Sequence, residues 1–168
     1  VVKLALRSDG KVLTIAATLK EPPGSFATSA VDLYVDTDAD AATGAEIDLG
    51  EARGFEYRVE LRMCVAYDDG SSACAGGSTK AKPTKRRGAV DVKRYTGRRQ
   101  FGQLVMEHVV DPMGGAAGSK ASVRVPVDGR VVEASVEYAD LKVKPGQTIR
   151  ILARESGGRP TEGTGDFP

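Results

Sequence analysis

The side chains best suited to chemistry lie in one short acidic loop, residues 36–44, with the sequence DTDADAATG. Asp36, Asp38 and Asp40 alternate along this loop. Carboxylates at alternate positions of a tight loop converge on one point, and loops that bind calcium supply ligands in this way. Three carboxylates so close together repel one another, and a divalent cation relieves that repulsion. The loop therefore predicts a calcium site, in which a backbone carbonyl around Ala42 and a distant carboxylate complete the oxygen shell.

The acidic loop does not have the pattern of an EF-hand. Its sixth position is Ala41, where glycine is required, and its twelfth position is Ile47, where glutamate is required. A further acidic ligand must come from elsewhere in the chain. Glu56 is the leading candidate, ahead of Glu46 and Asp48. The alternative interpretation is an ordinary acidic surface turn, because Asp, Thr and Gly are common turn residues.

The two cysteines predict a disulfide. Cys64 and Cys74 flank the segment 65–73, and a hairpin centred on Asp69 places them opposite one another. Facing strand positions approach closely enough for the Cα separation that a disulfide requires. Such a bond indicates export, since disulfides persist in oxidising compartments. Two reduced thiols are the alternative, and a zinc site is not expected, because one histidine leaves too few ligands.

A basic stretch occupies residues 80–99. It holds nine basic side chains and one acidic one, in a chain whose net charge is only +1. It contacts an anionic polymer such as an acidic polysaccharide, or it is a solvated loop or an edge strand whose charge prevents edge pairing. Nucleic acid is not the expected partner, since only Tyr95 and Phe101 supply aromatic rings nearby. The basic residues are Lys80, Lys82, Lys85, Arg86, Arg87, Lys93, Arg94, Arg98 and Arg99.

The single histidine, His108, does not indicate a catalytic centre. No Ser–His–Asp arrangement is identifiable around it, although spacing alone does not exclude one. We expect a structural or exposed histidine on a strand. The alternative is haem ligation, for which His108 together with a methionine (Met63, Met106 or Met113) offers the ligand types. The sequence thus predicts a protein that is not an enzyme, with a hydrolase of dispersed site as the third hypothesis.

The elements that must position these residues show a periodicity of two, which is typical of strands. From Lys11 to Leu19, apolar side chains alternate along the chain, and Asp9-Gly10 before them indicates a hairpin turn. A second hairpin is predicted around Asp128-Gly129, with Val123 opposite Ala134. Further strands are expected at 31–36, 54–66, 103–110 and 147–153.

Many short strands separated by turn signals predict an all-β fold. We expect an antiparallel β-sandwich with two sheets in a jelly-roll or immunoglobulin-like arrangement. Residues 1–155 are predicted to form a single domain, followed by a Gly/Pro-rich tail at 156–168 that is mobile or lies along the surface. One turn of helix is expected at 139–141. No apolar run has the length that a membrane span requires.

Several of these segments resemble the DOMON-like superfamily, which includes the family 9 carbohydrate-binding modules. The resemblance lies in LYVDTD at 33–38, TG at 43–44, GFEY at 54–57, and the predicted late strands at 129–136 and 141–150. Domains of this kind occur beside secreted glycoside hydrolases and in bacterial surface proteins. The resemblance implies an antiparallel β-sandwich with calcium at the Asp-x-Asp loop, joined by the acidic residue of the GFEY segment.

The likeness covers most of residues 1–153, but 67–120 has no recognisable match. The sequence also contains no Trp, whereas members of the superfamily that bind sugar typically stack it on Trp. The leading functional hypothesis is therefore a non-catalytic secreted or cell-surface module with a structural calcium ion, serving as an accessory or adhesive domain of a larger extracellular protein. The alternative is a carbohydrate-binding module of a polysaccharide-active enzyme, with a polysaccharide or another surface polymer as partner.

Overall fold

The structure is a computed structural model and describes residues 3–19, 29–47, 52–68, 83–110, 122–124, 131–155 and 161–166. Within these ranges the chain forms strands and one short helix, α1 (Tyr138–Leu141). The strands are β1 (Lys3–Ser8), β2 (Val12–Thr18), β3 (Ser29–Asp36), β4 (Ala45–Ile47), β5 (Ala52–Phe55), β6 (Tyr57–Tyr67), β7 (Pro83–Gln100), β8 (Gln103–Val110), β9 (Ser122–Arg124), β10 (Val131–Glu137), β11 (Thr148–Glu155) and β12 (Thr161–Asp166).

All of these strands pair antiparallel, so the predicted all-β fold is confirmed. One sheet has four strands in the order β1-β2-β10-β9, and a second has six in the order β12-β11-β3-β6-β7-β8. Strands β4 and β5 form a separate two-stranded hairpin. The predicted single turn of helix is α1, which follows β10. Within the described ranges, no helix has the length and apolarity to cross a membrane.

The two large sheets share one apolar core, as expected of a β-sandwich. Successive side chains of a strand point to opposite faces of the sheet. Leu13 and Ile15 of β2 therefore face the core, as the sequence pattern predicts, and Val31 and Leu33 of β3 belong to the same cluster. These side chains are at most 1% exposed. Burial of this kind stabilises by about 1.5–3 kcal/mol per large aliphatic side chain, so the core holds the two sheets together.

A hairpin is present at Asp9-Gly10 as predicted, and the register predicted for the second hairpin is confirmed. In the first, Ser8 pairs with Leu13, so four residues connect the paired positions rather than the tight two-residue turn expected, and Gly10 has a positive φ of 83°. In the second hairpin Val123 pairs with Ala134, although the turn itself lies outside the described residues. Local pattern was sufficient here, because a short turn fixes the register of its strands.

Other predictions need correction. The segment predicted as a tail contains β12, which pairs with β11 at the edge of the six-stranded sheet. From Pro83 to Arg94 the basic stretch is neither a loop nor an edge strand, because this part of β7 pairs with β6 and the six-stranded sheet continues beyond β7 to β8. The strand expected at 54–66 is divided at Glu56 into β5 and β6, and β4 was not expected at all.

The face of the six-stranded sheet opposite the core carries two rows of charge. Asp32 pairs with Glu60, and Glu60 with Asp91, so three carboxylates lie side by side across β3, β6 and β7. The adjacent row holds Arg58 opposite Lys93. Like charges directly opposite destabilise a sheet, and the basic row compensates for them: Arg58 lies 2.8 Å from Asp32, and Lys93 lies 2.8 Å from Asp91.

Asp91 is the most deeply buried member of the acidic row, with a side chain only 2% exposed. One carboxylate oxygen contacts Lys93, and the other lies 2.9 Å from Nδ1 of His108 on β8. The histidine side chain is 52% exposed. His108 thus has a charged structural partner inside the protein. Haem ligation stays the alternative that the sequence left open, because Met113 and the side chain of Met63 lie outside the described part of the chain.

Candidate metal centre

The candidate metal centre forms where β3 ends and the chain passes between β5 and β6. Asp36 is the last residue of β3, and the acidic loop begins there. Glu56 is the single residue between β5 and β6, and its backbone N–H donates to the carbonyl of Val35 at 3.1 Å. This bond fixes Glu56 beside the end of β3. Two segments that are 20 positions apart in the sequence therefore meet at one corner of the sandwich.

Three carboxylates converge at this corner: Asp36, Asp38 and Glu56 each offer an oxygen, and the three oxygens lie within 4.8 Å of one another. The sequence predicted these three residues as ligands, and the structure brings them together. Asp36 is buried, Glu56 is partly buried, and Asp38 is exposed. The cluster is thus open to solvent on one side and anchored in the protein on the other.

Asp36 has one carboxylate oxygen in a salt bridge and one without a hydrogen bond. Arg150 lies directly opposite Asp36 in the pairing of β11 with β3. Its Nε and Nη2 donate to Oδ2 of Asp36 at 3.1 and 2.9 Å. The other oxygen, Oδ1, is buried and has no partner. A buried acceptor without a donor is costly, and a cation at this position satisfies it.

Thr43 lies at the centre of the oxygen cluster. Its hydroxyl oxygen is 3.0 Å from Oδ2 of Asp38, 3.2 Å from Oε1 of Glu56 and 3.0 Å from the carbonyl of Asp40. A hydroxyl carries one proton and donates one hydrogen bond at a time. The cluster therefore contains more acceptor oxygens than this donor can satisfy. Such a surplus of oxygens is the environment that hard cations such as calcium prefer.

Backbone N–H groups hold the remaining carboxylate oxygens in place. The N–H of Thr37 donates to Oε2 of Glu56 at 2.7 Å, and its hydroxyl donates to the same oxygen at 3.1 Å. The N–H of Asp40 donates to Oδ1 of Asp38 at 2.9 Å. These bonds orient both carboxylates before any ion arrives. Only the bond between Asp40 and Asp38 is a local turn of the kind that Asp favours, whereas those from Thr37 to Glu56 join segments 19 positions apart.

Asp40 and Ala42 were also predicted as ligands, and the structure gives them another arrangement. Oδ1 of Asp40 accepts a hydrogen bond of 2.9 Å from the N–H of Ala42. The carboxylate of Asp40 is not part of the converging group. A coordinating role for the Ala42 carbonyl stays a prediction. Asp40 thus shapes the loop through its side chain and faces the cluster through its backbone carbonyl, which Thr43 contacts.

Two glycines allow the acidic loop to lie directly against β5. Gly44 and Gly54 have φ values of 67° and 90°. A Cβ atom on Gly44 would lie 2.5 Å from Oε1 of Glu56, and one on Gly54 would lie 2.7 Å from the carbonyl oxygen of Asp40. Both positions therefore exclude a larger side chain, in addition to the backbone conformation that favours glycine. The close approach of these segments brings Glu56 to the loop.

The carboxylates of the cluster have perturbed pKa values. Burial raises the pKa of Asp36, Arg150 and the backbone N–H of Ala39 oppose the shift, and the nearby Asp38 adds to it. Burial also raises the pKa of Glu56, against the hydrogen bond from the Thr37 N–H. The pKa of Asp38 is lowered, chiefly by the hydrogen bond from the Asp40 N–H. Without an ion, burial therefore disfavours the charged forms of Asp36 and Glu56. A bound cation stabilises these charges and removes that free-energy cost.

The other predicted site residues lie apart from this cluster or outside the described residues. Glu46 is on β4, and its carboxylate contacts Arg53 at 3.6 Å. Asp48 falls in a range that the structure does not describe. Cys64 is on β6, where its strand partner is Arg87 rather than Cys74, so the predicted tight hairpin around Asp69 is wrong. Cys74 lies outside the described residues, and the disulfide stays a prediction.

Sequence reasoning missed Arg150, Thr37 and Thr43 as parts of the site. The two threonines lie within the acidic loop, and their side chains are common partners of nearby carboxylates, so the loop itself contained that signal. Arg150 had no local signal, because it is 114 positions from Asp36. Its guanidinium also lies over the ring of Phe55, at 5.1 Å from the ring centroid. Arg150 therefore joins β3, β5 and β11 at the site.

Comparisons of the chain with known protein families, characterised proteins and solved structures find no match. The resemblance to the DOMON-like superfamily therefore stays a prediction from the sequence.

Proposed function

We propose that this chain is a non-catalytic, secreted or cell-surface β-sandwich module that binds one structural calcium ion at Asp36, Asp38 and Glu56. The observation that carries the proposal is the buried Oδ1 of Asp36, which has no hydrogen-bond partner and belongs to a group of three carboxylates. An acidic surface turn has no reason to bury an unpaired carboxylate oxygen. A cation that binds there supplies the missing partner.

The charges of the site favour a divalent ion. Three carboxylates contribute about −3 and Arg150 about +1, which leaves about −2 before an ion binds. Calcium neutralises that charge and accepts six to eight oxygen ligands in irregular geometry. Magnesium requires a nearly octahedral shell and loses its water reluctantly. Carboxylates from a loop and from the β5–β6 junction, beside a threonine hydroxyl and a backbone carbonyl, fit calcium better.

The ion's role in this proposal is to fasten the acidic loop to the sandwich. Asp36 belongs to β3, Asp38 to the loop and Glu56 to the junction of β5 and β6, so one ion connects three segments. Calcium sites of extracellular modules are weak, with dissociation constants of about 10⁻⁴–10⁻³ M. The proposed extracellular location agrees with such a site and with the predicted Cys64–Cys74 disulfide. An accessory or adhesive domain of a larger protein gains rigidity in this way.

Calcium is expected to raise the melting temperature of the chain. At 10 mM calcium, about 100-fold above a dissociation constant of 10⁻⁴ M, the folded state gains about 2.7 kcal/mol. For a domain of this size, that gain corresponds to an increase of about 5–10 °C in the melting temperature. The measurement is differential scanning calorimetry with calcium and with excess chelator.

Magnesium at the same concentration serves as the control, and its effect is expected to be much smaller. If the melting temperature is the same in calcium and in chelator, the proposed calcium site is absent. If magnesium stabilises as strongly as calcium, the effect is not selective and the proposal fails.

A further inference from the structure

The hairpin that joins β7 and β8 ends in an exposed aromatic residue. Gln100 pairs with Gln103, so the turn consists of Phe101 and Gly102 alone. Both have positive φ values, of 51° and 78°, as in the two-residue turns where Asn, Asp and Gly are the usual residues. A bulky side chain at positive φ is strained. The ring of Phe101 is nevertheless 96% exposed, so burial in this chain does not explain it.

This hairpin extends beyond the strand beside it. The pairing of β7 with β6 ends where Arg94 faces Tyr57, the first residue of β6. Beyond that pair, β7 continues to Gln100, but a bulge between Tyr95 and Arg99 sets these residues against only Met106 to Gln103 of β8, so the hairpin extends about 10 Å past the pair. Its base is held by Tyr95, whose N–H donates to the carbonyl of Glu56. The residues from Gly97 to Gln103 are exposed, so the apex of the hairpin faces solvent.

The basic side chains of this hairpin lie behind its aromatic apex. Residues 95–106 contain two arginines, Arg98 and Arg99, and no acidic residue. The arginines precede Phe101 by two and three positions, or about 7–10 Å along the strand. Arg99 donates to the carbonyls of Gly102 and Glu46 at 3.2 and 2.9 Å, which holds it just below the apex.

We propose that this hairpin docks on an anionic lipid surface, with Phe101 inserted and the two arginines at the level of the phosphates. An interfacial side chain enters about 5–10 Å below the headgroups, which matches the spacing between the ring and the arginines. Arginine binds phosphate through paired hydrogen bonds, and aromatic rings favour the membrane interface. An exposed aromatic apex, with two cations behind it and no acidic residue between positions 95 and 106, matches the charge and polarity of an anionic lipid surface.

The test is co-sedimentation of the full chain with vesicles of phosphatidylglycerol and phosphatidylcholine, compared with phosphatidylcholine alone. An excess of chelator keeps calcium from bridging protein and lipid, so the result is independent of the calcium site. We expect binding to the anionic vesicles only, weakened by salt. Phe101→Ala is expected to lower the partition coefficient about tenfold or more. Arg98→Gln and Arg99→Gln are each expected to lower it about fivefold.

Two further variants separate this contact from general effects. Phe101→Trp is expected to retain binding, because Trp also favours the interface. Lys3→Gln removes an exposed cation elsewhere, on β1, and is expected to have little effect. Absence of binding to anionic vesicles overturns the proposal, and so does binding that Phe101→Ala leaves unchanged. Binding to an acidic polysaccharide such as polygalacturonate, lost in Phe101→Ala while vesicles are not bound, overturns it in favour of a glycan partner.

Discussion

Asp36→Asn is expected to abolish the calcium-dependent increase in stability, about 2.7 kcal/mol at 100-fold excess over the dissociation constant. The substitution preserves the shape of the side chain but removes one of three negative charges. In chelator, the variant is expected to lose less stability than in calcium: it still gives up the buried ion pair with Arg150, but it also removes a charged form that burial disfavours, since burial raises the pKa of Asp36. The same substitution thus has different effects in the two buffers, which urea denaturation in each buffer measures.

Asp40→Asn is the matched control for Asp36→Asn. It makes the same change of charge in the same loop, at a carboxylate that caps the N–H of Ala42 and is not in the converging group. The calcium effect is expected to survive in this variant. If Asp36→Asn and Asp40→Asn reduce the calcium effect equally, the loop attracts calcium only through its overall charge, and the assignment of ligands is wrong.

Asp91→Ala is expected to destabilise the protein by about 3–5 kcal/mol, the cost of removing one partner from a buried ion pair. The side chain of Asp91 is 2% exposed and contacts both Lys93 and His108. Its removal deprives Lys93 of its closest partner, since Glu60 lies farther away at 3.6 Å. Urea denaturation at neutral pH gives the free energy of unfolding.

Glu107→Ala provides the control for Asp91→Ala on the neighbouring strand. Glu107 forms an ion pair with Arg94, and its side chain is 47% exposed. Exposed pairs contribute only about 0–1 kcal/mol, so little loss of stability is expected. A loss for Asp91→Ala that is no larger than that for Glu107→Ala contradicts the structural importance given to the acidic row.

The features predictable from sequence are those set by neighbouring residues. The alternation of Leu13 and Ile15 with polar residues identified β2, because successive side chains of a strand point to opposite faces. The Asp-Gly dipeptides identified both hairpins. The convergence of Asp36 and Asp38 followed from their spacing, whereas no spacing singled out Glu56, which was the leading candidate ahead of Glu46 and Asp48.

The features that the sequence did not predict depend on contacts between residues that are far apart in the chain. Strand β12 has a Gly- and Thr-rich sequence without apolar alternation, and it forms because β11 offers an edge with which to pair. The basic strand β7 lies inside the sheet because Lys93 meets Asp91 and Glu60 there, which no local pattern shows. Arg150 reaches Asp36 only through the pairing of β11 with β3. The exclusion of Asp40 depends on a hydrogen bond within the loop, which spacing does not specify.

The proposed calcium site is tested by locating the bound ion in a crystal. Diffraction from crystals grown with calcium, recorded at a long wavelength, locates calcium by its anomalous scattering. We expect one peak bounded by Asp36, Asp38 and Glu56, with oxygen distances of about 2.3–2.6 Å and with Oδ1 of Asp36 among the ligands. A map without a peak at this corner of the sandwich, or with Oδ1 of Asp36 turned away from the ion, contradicts the account.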